Sequence, residues 1–338
     1  MLLKQLCSLC APSGWEDEAR SFIIEQIKDI PGIEITVDTM GNVIAHKPGK
    51  GKKIMVAAHM DEVGFIVSGF TDDGFVKFKT VGGIMTSVLV SKRVVLGENK
   101  VDGIISSKAV HLQSAADREK PASMRDLYID IGAKDKADAE SKLSLGDYGT
   151  FAGEYTEFGD GYVKSKALDD RVGCAVMLEL IKENYENDMY FCFTVQEEVG
   201  LRGATIAANR IGPELALVLE GTTCNDVHGA KPHQTVTYSG GGAVMTAMDG
   251  AAISDRRYFE MIKTLAARED IPLQIKRTSA GGTDAGSIQR SGAGVKTAVL
   301  AVPCRYIHSP VSVMHMRDYD SVRRLAAAVL KELEGRDI

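Results

Sequence analysis

The sequence predicts an α/β protein whose main domain is interrupted by a small all-β module. Two observations carry this. In residues 1–65 and again from about 165 onward, helical periodicity alternates with short, wholly apolar runs such as KIMVAAH (53–59) and ELALVLE (214–220), the pattern of strands covered by helices on a sheet. Between them, residues 66 to about 160 consist of β-prone runs punctuated by glycine, among them GFIVSGF, GFVKFKTVGG, SVLVSKRVVL, DGIISS, LYIDIGA and DYGTF, as in a barrel or sandwich. The chain therefore divides into a discontinuous α/β domain (1–65 with 162–338) and an inserted β domain (66–161).

The elements follow in order. In MLLKQLCSLCAPSG, Lys4 and Gln5 break the apolar run, and Leu2, Leu3, Leu6 and Leu9 share one face of a short helix. This argues for mature sequence rather than a signal peptide. Ser13-Gly14-Trp15-Glu16 has the S-x-x-E form of a capping box, with Ala19, Phe22, Ile23, Ile27 and Ile30 at helical spacing behind it. Strands are expected at 34–38, 42–46, 53–59, 189–195, 214–220 and 295–302. Helices are expected after ALDD, at 203–210, at 255–268, and at the end of the chain, where Val322, Leu325, Ala326, Val329 and Leu333 make one face. The polar stretch 113–126 reads as an exposed, mobile loop.

Composition bounds the function. The 338 residues are 44% hydrophobic and 25% charged, with a formal net charge of −6. This fits an ordinary globular protein and argues against a nucleic-acid or membrane partner. The six cysteines (7, 10, 174, 192, 224 and 304) lie mostly in apolar segments, as free thiols of a cytoplasmic protein would. Cys7-x-x-Cys10 has neither a second pair nor a βαβ context, which favours helix packing over redox or metal chemistry.

Ligand-type residues recur where apolar runs stop. His59-x-Asp61 ends KIMVAAH, Asp169-Asp170 opens a helix, Glu197-Glu198 ends 189–195, Glu220 ends ELALVLE, and His308 follows 295–302. Binding crevices of open α/β sheets lie at the carboxyl ends of strands. Each piece alone has a plainer reading, such as a helix N-cap for Asp169 or Asp170 or a solvated loop for the glutamates. Together they gather more negative charge than a crevice tolerates without cations. Imidazole and carboxylate donors without thiolates suit zinc, manganese or cobalt, and two cations sharing a carboxylate would balance the charge.

AHMDEVG (58–64), KALDDRVG (166–173), QEEVGLRG (196–203), GGTDA (281–285) and RYIHSP (305–310) together resemble the glutamyl or deblocking (tetrahedral) aminopeptidases, two-metal cytoplasmic exopeptidases of which some are labelled cellulase M. The resemblance runs through nearly the whole chain, the β insertion included. It implies a mixed-sheet, three-layer α/β zinc-peptidase-like domain with an inserted barrel-like domain that serves oligomerisation or substrate access. It also implies a tetrahedral dodecamer acting on short peptides. His59 resembles a ligand of one metal, Asp169 the bridging carboxylate, and Glu198 and His308 ligands of the second metal. Glu197 resembles the general base that activates a water between the metals, and Asp61 the partner orienting His59. A cis peptide is implied before Asp170. The family usually has an aspartate where this chain has Glu220. That glutamate is the expected remaining ligand, with Asp226 a competitor for the place.

Two other enzyme classes compete. One is a related two-metal deacylase or carboxypeptidase. The other is a glycoside hydrolase using paired carboxylates, for which 6% aromatic residues and a single tryptophan leave few stacking platforms. A binding protein that kept the fold without catalysis would lack a ligand or base, and none is missing.

Overall fold

The structure is a computed structural model that describes residues 1–115, 122–277, 281–336 and 338. Three strands open the chain: β1 (Glu34–Val37), β2 (Val43–Lys47) and β3 (Lys53–His59). The insertion holds β4 (Gly64–Phe70), β5 (Val76–Val81), β6 (Arg93–Leu96), β7 (Val101–Ser106), β8 (Tyr128–Asp130) and β9 (Tyr148–Phe151). Then come β10 (Thr156–Phe158), β11 (Tyr162–Ser165), β12 (Asp188–Thr194), β13 (Leu215–Thr223), β14 (Ala243–Thr246), β15 (Leu273–Ile275), β16 (Lys296–Cys304) and β17 (Ser312–His315).

Eight strands form one mixed sheet in the order β1-β2-β12-β3-β13-β16-β14-β15. Its centre, β12-β3-β13-β16, is parallel throughout, and those strands are buried on both faces. Alternation in β3 shows how. Ile54, Val56 and Ala58 join one core cluster with the helices Asp17–Ile27, Leu168–Leu180, Arg256–Arg268 and Met316–Glu332. Met55 and Ala57 join a second, alanine-rich cluster with Arg202–Ile211 and Ala285–Gln289. The period of two puts successive side chains on opposite faces, which gives the expected three layers.

The insertion closes into a six-stranded barrel, β4-β5-β8-β7-β6-β9. Phe65 anchors its core, meeting Phe78 and Phe151 edge-to-face at centroid distances of 5.5 and 5.0 Å, a favoured aromatic geometry. Strands β10, β11 and β17 make a separate three-stranded sheet.

Several expectations need correction. Ser13-Gly14-Trp15-Glu16 makes no capping box: Glu16 is the N-cap residue of the helix Asp17–Ile27 without a side-chain cap. Ser13 instead donates its hydroxyl to Asp61. The β insertion contains a helix, Lys136–Lys142, whose one buried residue is Ala139, too little apolar pattern to read. The last two strands of the sheet, β14 and the edge strand β15, span four and three residues, too short to show a period. Residues 116–121 of the stretch 113–126 lie outside those described, and its end is a 3-10 turn at Met124–Asp126. The cysteine expectation holds: all six are free, with Cys7 buried in the first helix.

Candidate metal centre

Parallel pairing sets the first half of the site. Thr194 of β12 is level with His59 of β3, and Val218 of β13 pairs Ala57, so the same register carries Glu220 alongside His59. The buried His59 has Nε2 3.4 Å from Asp169 Oδ1 and 3.6 Å from Glu220 Oε2. Its Nδ1 faces Asp61, 3.2 Å from the carbonyl oxygen. The second half comes from loops. His308 has Nε2 3.2 Å from Glu198 Oε2 and 3.7 Å from Asp169 Oδ2. Its Nδ1 donates to the carbonyl of Gly83, at 2.9 Å. Since a carbonyl only accepts, that bond fixes the tautomer and leaves the Nε2 lone pair facing the carboxylates.

Asp169 therefore turns one oxygen toward each imidazole. The Asp169–Asp170 peptide is cis, and both aspartates are non-helical inside the helix Leu168–Leu180. Gly221 lets this backbone approach the sheet: a Cβ there would lie 2.9 Å from both Cα and Cβ of Asp169.

The glutamate pair depends on Asp61. Strand β12 ends at Thr194 and Gln196 takes a left-handed φ of 55°, so the chain leaves strand geometry at a residue other than glycine. Asp61 Oδ1 accepts the N–H of Glu197 (3.0 Å), and Oδ2 accepts the N–H of Glu198 (3.2 Å) and the Ser13 hydroxyl (2.6 Å). Asp61 thus grips the turn as well as facing His59. Asp226 is committed elsewhere, as a bidentate partner of Arg305 at 2.7 and 2.8 Å, which leaves Glu220 as the acid beside His59.

The residues fit a cationic group. Among the described residues, buried atoms without a hydrogen-bond partner include Asp169 Oδ1, Asp170 Oδ2 and Glu220 Oε1, lone pairs too costly to leave unmet. Donor atoms of His59, Asp169 and Glu198 lie within 4.8 Å of one another, as do those of His59, Asp170 and Glu220. Asp170 thereby enters a donor set that sequence reading gave to Asp169 alone. Burial pushes the Glu220, Asp170 and Glu197 carboxyls well up. Burial also opposes charge on His308, yet Asp169 and Glu198 raise it to about 11. Burial resists ionisation of Asp169, but His308 and His59 hold it below the usual carboxylate range. Such a field draws positive charge, whether a proton or a metal ion.

His59, Asp169, Glu198, Glu220 and His308 line a cavity of about 410 Å³ together with Glu197, Lys276, Thr283 and Ile307. A larger cleft of about 510 Å³, between Trp15 and Tyr148, holds none of them. Sequence reading missed the buried network behind the site. Glu62 binds Lys166 at 2.6 Å, Arg171 at 3.3 Å and the hydroxyl of Thr150 at 2.7 Å, and Thr194 donates to Asp284 at 2.5 Å. Every one of these but Thr194 lies in a stretch quoted above, where its neighbours drew the attention.

The model of a family described as M42 glutamyl aminopeptidase matches residues 41–325. The chain belongs to that family. A putative aminopeptidase of Acetivibrio thermocellus is 40% identical over 326 residues, 96% of each protein. The TET aminopeptidase of the marine sediment archaeon Thaumarchaeota archaeon SCGC AB-539-E09 superimposes with a TM-score of 0.95 at 36% identity, over 98% of this chain and 96% of that one. The Pyrococcus horikoshii TET1 peptidase, which can assemble into a tetrahedron or a large octahedral shell, matches at TM-score 0.87 and 34% identity over 98% of each chain. The protein is a metal-dependent aminopeptidase that uses divalent metal. No described helix is long and apolar enough to cross a membrane.

Proposed function

We propose that the chain removes the N-terminal residue of short peptides at a centre of two divalent cations, one held by His59, Asp169 and Glu220 and the other by His308, Asp169 and Glu198. The observation that carries this reading is Asp169, whose two oxygens face different histidines. Bound there, the cations would supply Lewis acidity that polarises the scissile carbonyl and brings the pKa of water from 15.7 to about 7. Glu197 lies in the same cavity but outside both triads, so its carboxylate is free to take a proton from the attacking water and return it to the departing amine. Asp61 holds Glu197 in place through its backbone N–H. The site carboxylates offer partners to the free α-amino group that an exopeptidase must hold.

Zinc is the proposed metal, with cobalt and manganese alternatives compatible with the donors. The domains divide at 1–65 with 162–338 and at 66–161, and the barrel serves oligomerisation and substrate access in a cytoplasmic tetrahedral dodecamer. The test pairs aminoacyl p-nitroanilides with their N-acetylated forms, before and after exhaustive chelation and restoration with each metal. Only the free amines should react, and only with metal. Cleavage of the acetylated forms would indicate a deacylase or endopeptidase, and activity surviving chelation would indicate metal-free hydrolysis.

A further inference from the structure

We propose that Ser13 is a positioning residue for the general base, acting on Glu197 through Asp61. This rests on the reading of Glu197 as the base and adds a residue, from outside the motifs that carry the ligands, that keeps it in place. Asp61 is wholly buried, and its carboxylate is approached from three parts of the chain. Oδ1 takes the Glu197 N–H and lies 3.4 Å from His59 Nδ1, while Oδ2 takes the Glu198 N–H and the Ser13 hydroxyl. At 2.6 Å the Ser13 bond is the shortest of the set. An O–H donor to a carboxylate at that length is about twice as strong as a neutral hydrogen bond.

The hydroxyl is delivered by backbone bonds that do not need it. Residues 9–13 run beside 61–62 as a strut. The Ser13 N–H donates to the Glu62 carbonyl at 3.1 Å, the Glu62 N–H to the Ala11 carbonyl at 3.1 Å, and the Ala11 N–H to Glu62 Oε1 at 3.1 Å. Lys166 Nζ binds the Leu9 carbonyl at 2.6 Å, and the Trp15 N–H closes the next turn on the Pro12 carbonyl at 2.8 Å. Ser13 is buried, and among the described residues its hydroxyl bonds Asp61 alone. Removing the hydroxyl therefore leaves the strut intact and takes from Asp61 the one partner that belongs neither to the glutamate turn nor to His59. The terminal torsion of a carboxylate is broad, so a carboxylate held only by the turn it supports can move with that turn. Glu197 follows directly on Gln196, with its left-handed φ of 55°, and a shift of ~1 Å at a reacting group can cost about 10²-fold in rate. The Ser13 hydroxyl reaches no side chain of a proposed metal ligand, so its loss falls on turnover rather than on metal binding.

The experiment measures kcat, KM and metal content with a free aminoacyl p-nitroanilide in the metal-loaded native protein, S13A, S13C and S13T, and in E197Q with and without S13A. Thermal melting and the emission of Trp15, the single tryptophan, report on the strut. S13A should keep its metal, its emission and a KM within about twofold of native, while kcat falls about tenfold or more. S13C fills the same place with a weak donor and should behave as S13A does. S13T keeps the hydroxyl and should retain most of the rate. Added to E197Q, S13A should lower the residual kcat by less than about twofold, because residues that act as a unit are not additive. Native kcat in both S13A and S13C overturns the proposal, as does an S13T variant that melts with the native protein yet turns over as slowly as S13A. So does loss of metal in proportion to rate, or an S13A effect that persists undiminished in E197Q, since either gives Ser13 a different role. Those results leave the base reading standing. If E197Q itself turns over near the native rate, that reading falls and this proposal with it.

Discussion

The eight-stranded sheet and the inserted barrel bring different things to one cavity. The sheet contributes charge: His59 at the end of β3, Glu220 in the carboxyl half of β13, and Glu197 and Glu198 just beyond β12. The barrel contributes hydrogen bonds from uncharged groups. The carbonyl of Gly83, just past β5, orients His308, and the Thr150 hydroxyl of β9 meets the buried Glu62. The comparison shows that the charged residues of the cavity and the groups that orient them come from different parts of the chain. Charged side chains on the sheet side are thus held by hydrogen bonds that groups of the barrel supply.

The largest expected effect comes from cutting the link between the two regions. Glu62→Gln leaves Lys166 and Arg171 buried without their carboxylate, which should cost about 3–5 kcal/mol, measured by urea denaturation. A loss below about 1 kcal/mol would mean the regions are joined by other contacts.

Next is Glu16, beside Asp61 on the sheet side, whose carboxyl burial pushes up to about 7 from an ordinary 4.5. The fold prefers its neutral form, so the favourable contribution is complete below pH 4.5 and disappears as pH rises through about 7. Relative to Glu16→Gln, the native protein should lose on the order of 2–3 kcal/mol across that window. A flat difference between the two proteins from pH 4.5 to 8 would refute the assignment.

The smallest effect on stability is expected on the barrel side. Gly82 has φ 82°, and an added Cβ would lie 2.8 Å from Val63 Cγ1 and 3.4 Å from Glu198 Cβ. Gly82→Ala should cost about 1–2 kcal/mol while displacing the Gly83 carbonyl from His308. Metal content near one ion per chain by elemental analysis, with weaker turnover, would show that the barrel aligns the His308 half. Unchanged metal content would show that it does not.

The two regions were also unequally legible in the sequence. Central strands buried on both faces read as unbroken apolar runs, and β3, β12, β13 and β16 lie within a residue or two of expectation, apart from the carboxyl end of β13. Barrel closure was not legible, because pairing such as β6 with β9 joins residues far apart in sequence. His59, Glu220 and the glutamate pair stood out as polar residues ending apolar runs. Their supports did not. Ser13 was absorbed into a capping motif, and Glu62 pairs with both Lys166 and Arg171, a relation visible only in three dimensions. The turn at Gln196 carries no sequence signal either, since the residue is not glycine and is held there by its neighbours.

In the proposed mechanism two adjacent glutamates have different work, Glu198 holding a cation and Glu197 carrying a proton. The direct test is Glu197→Gln, assayed for metal content by elemental analysis and for turnover of a free aminoacyl p-nitroanilide. Two metals per chain with kcat reduced about 10²–10⁴-fold is the predicted result. Near-native turnover, or loss of metal in proportion to activity, would contradict it.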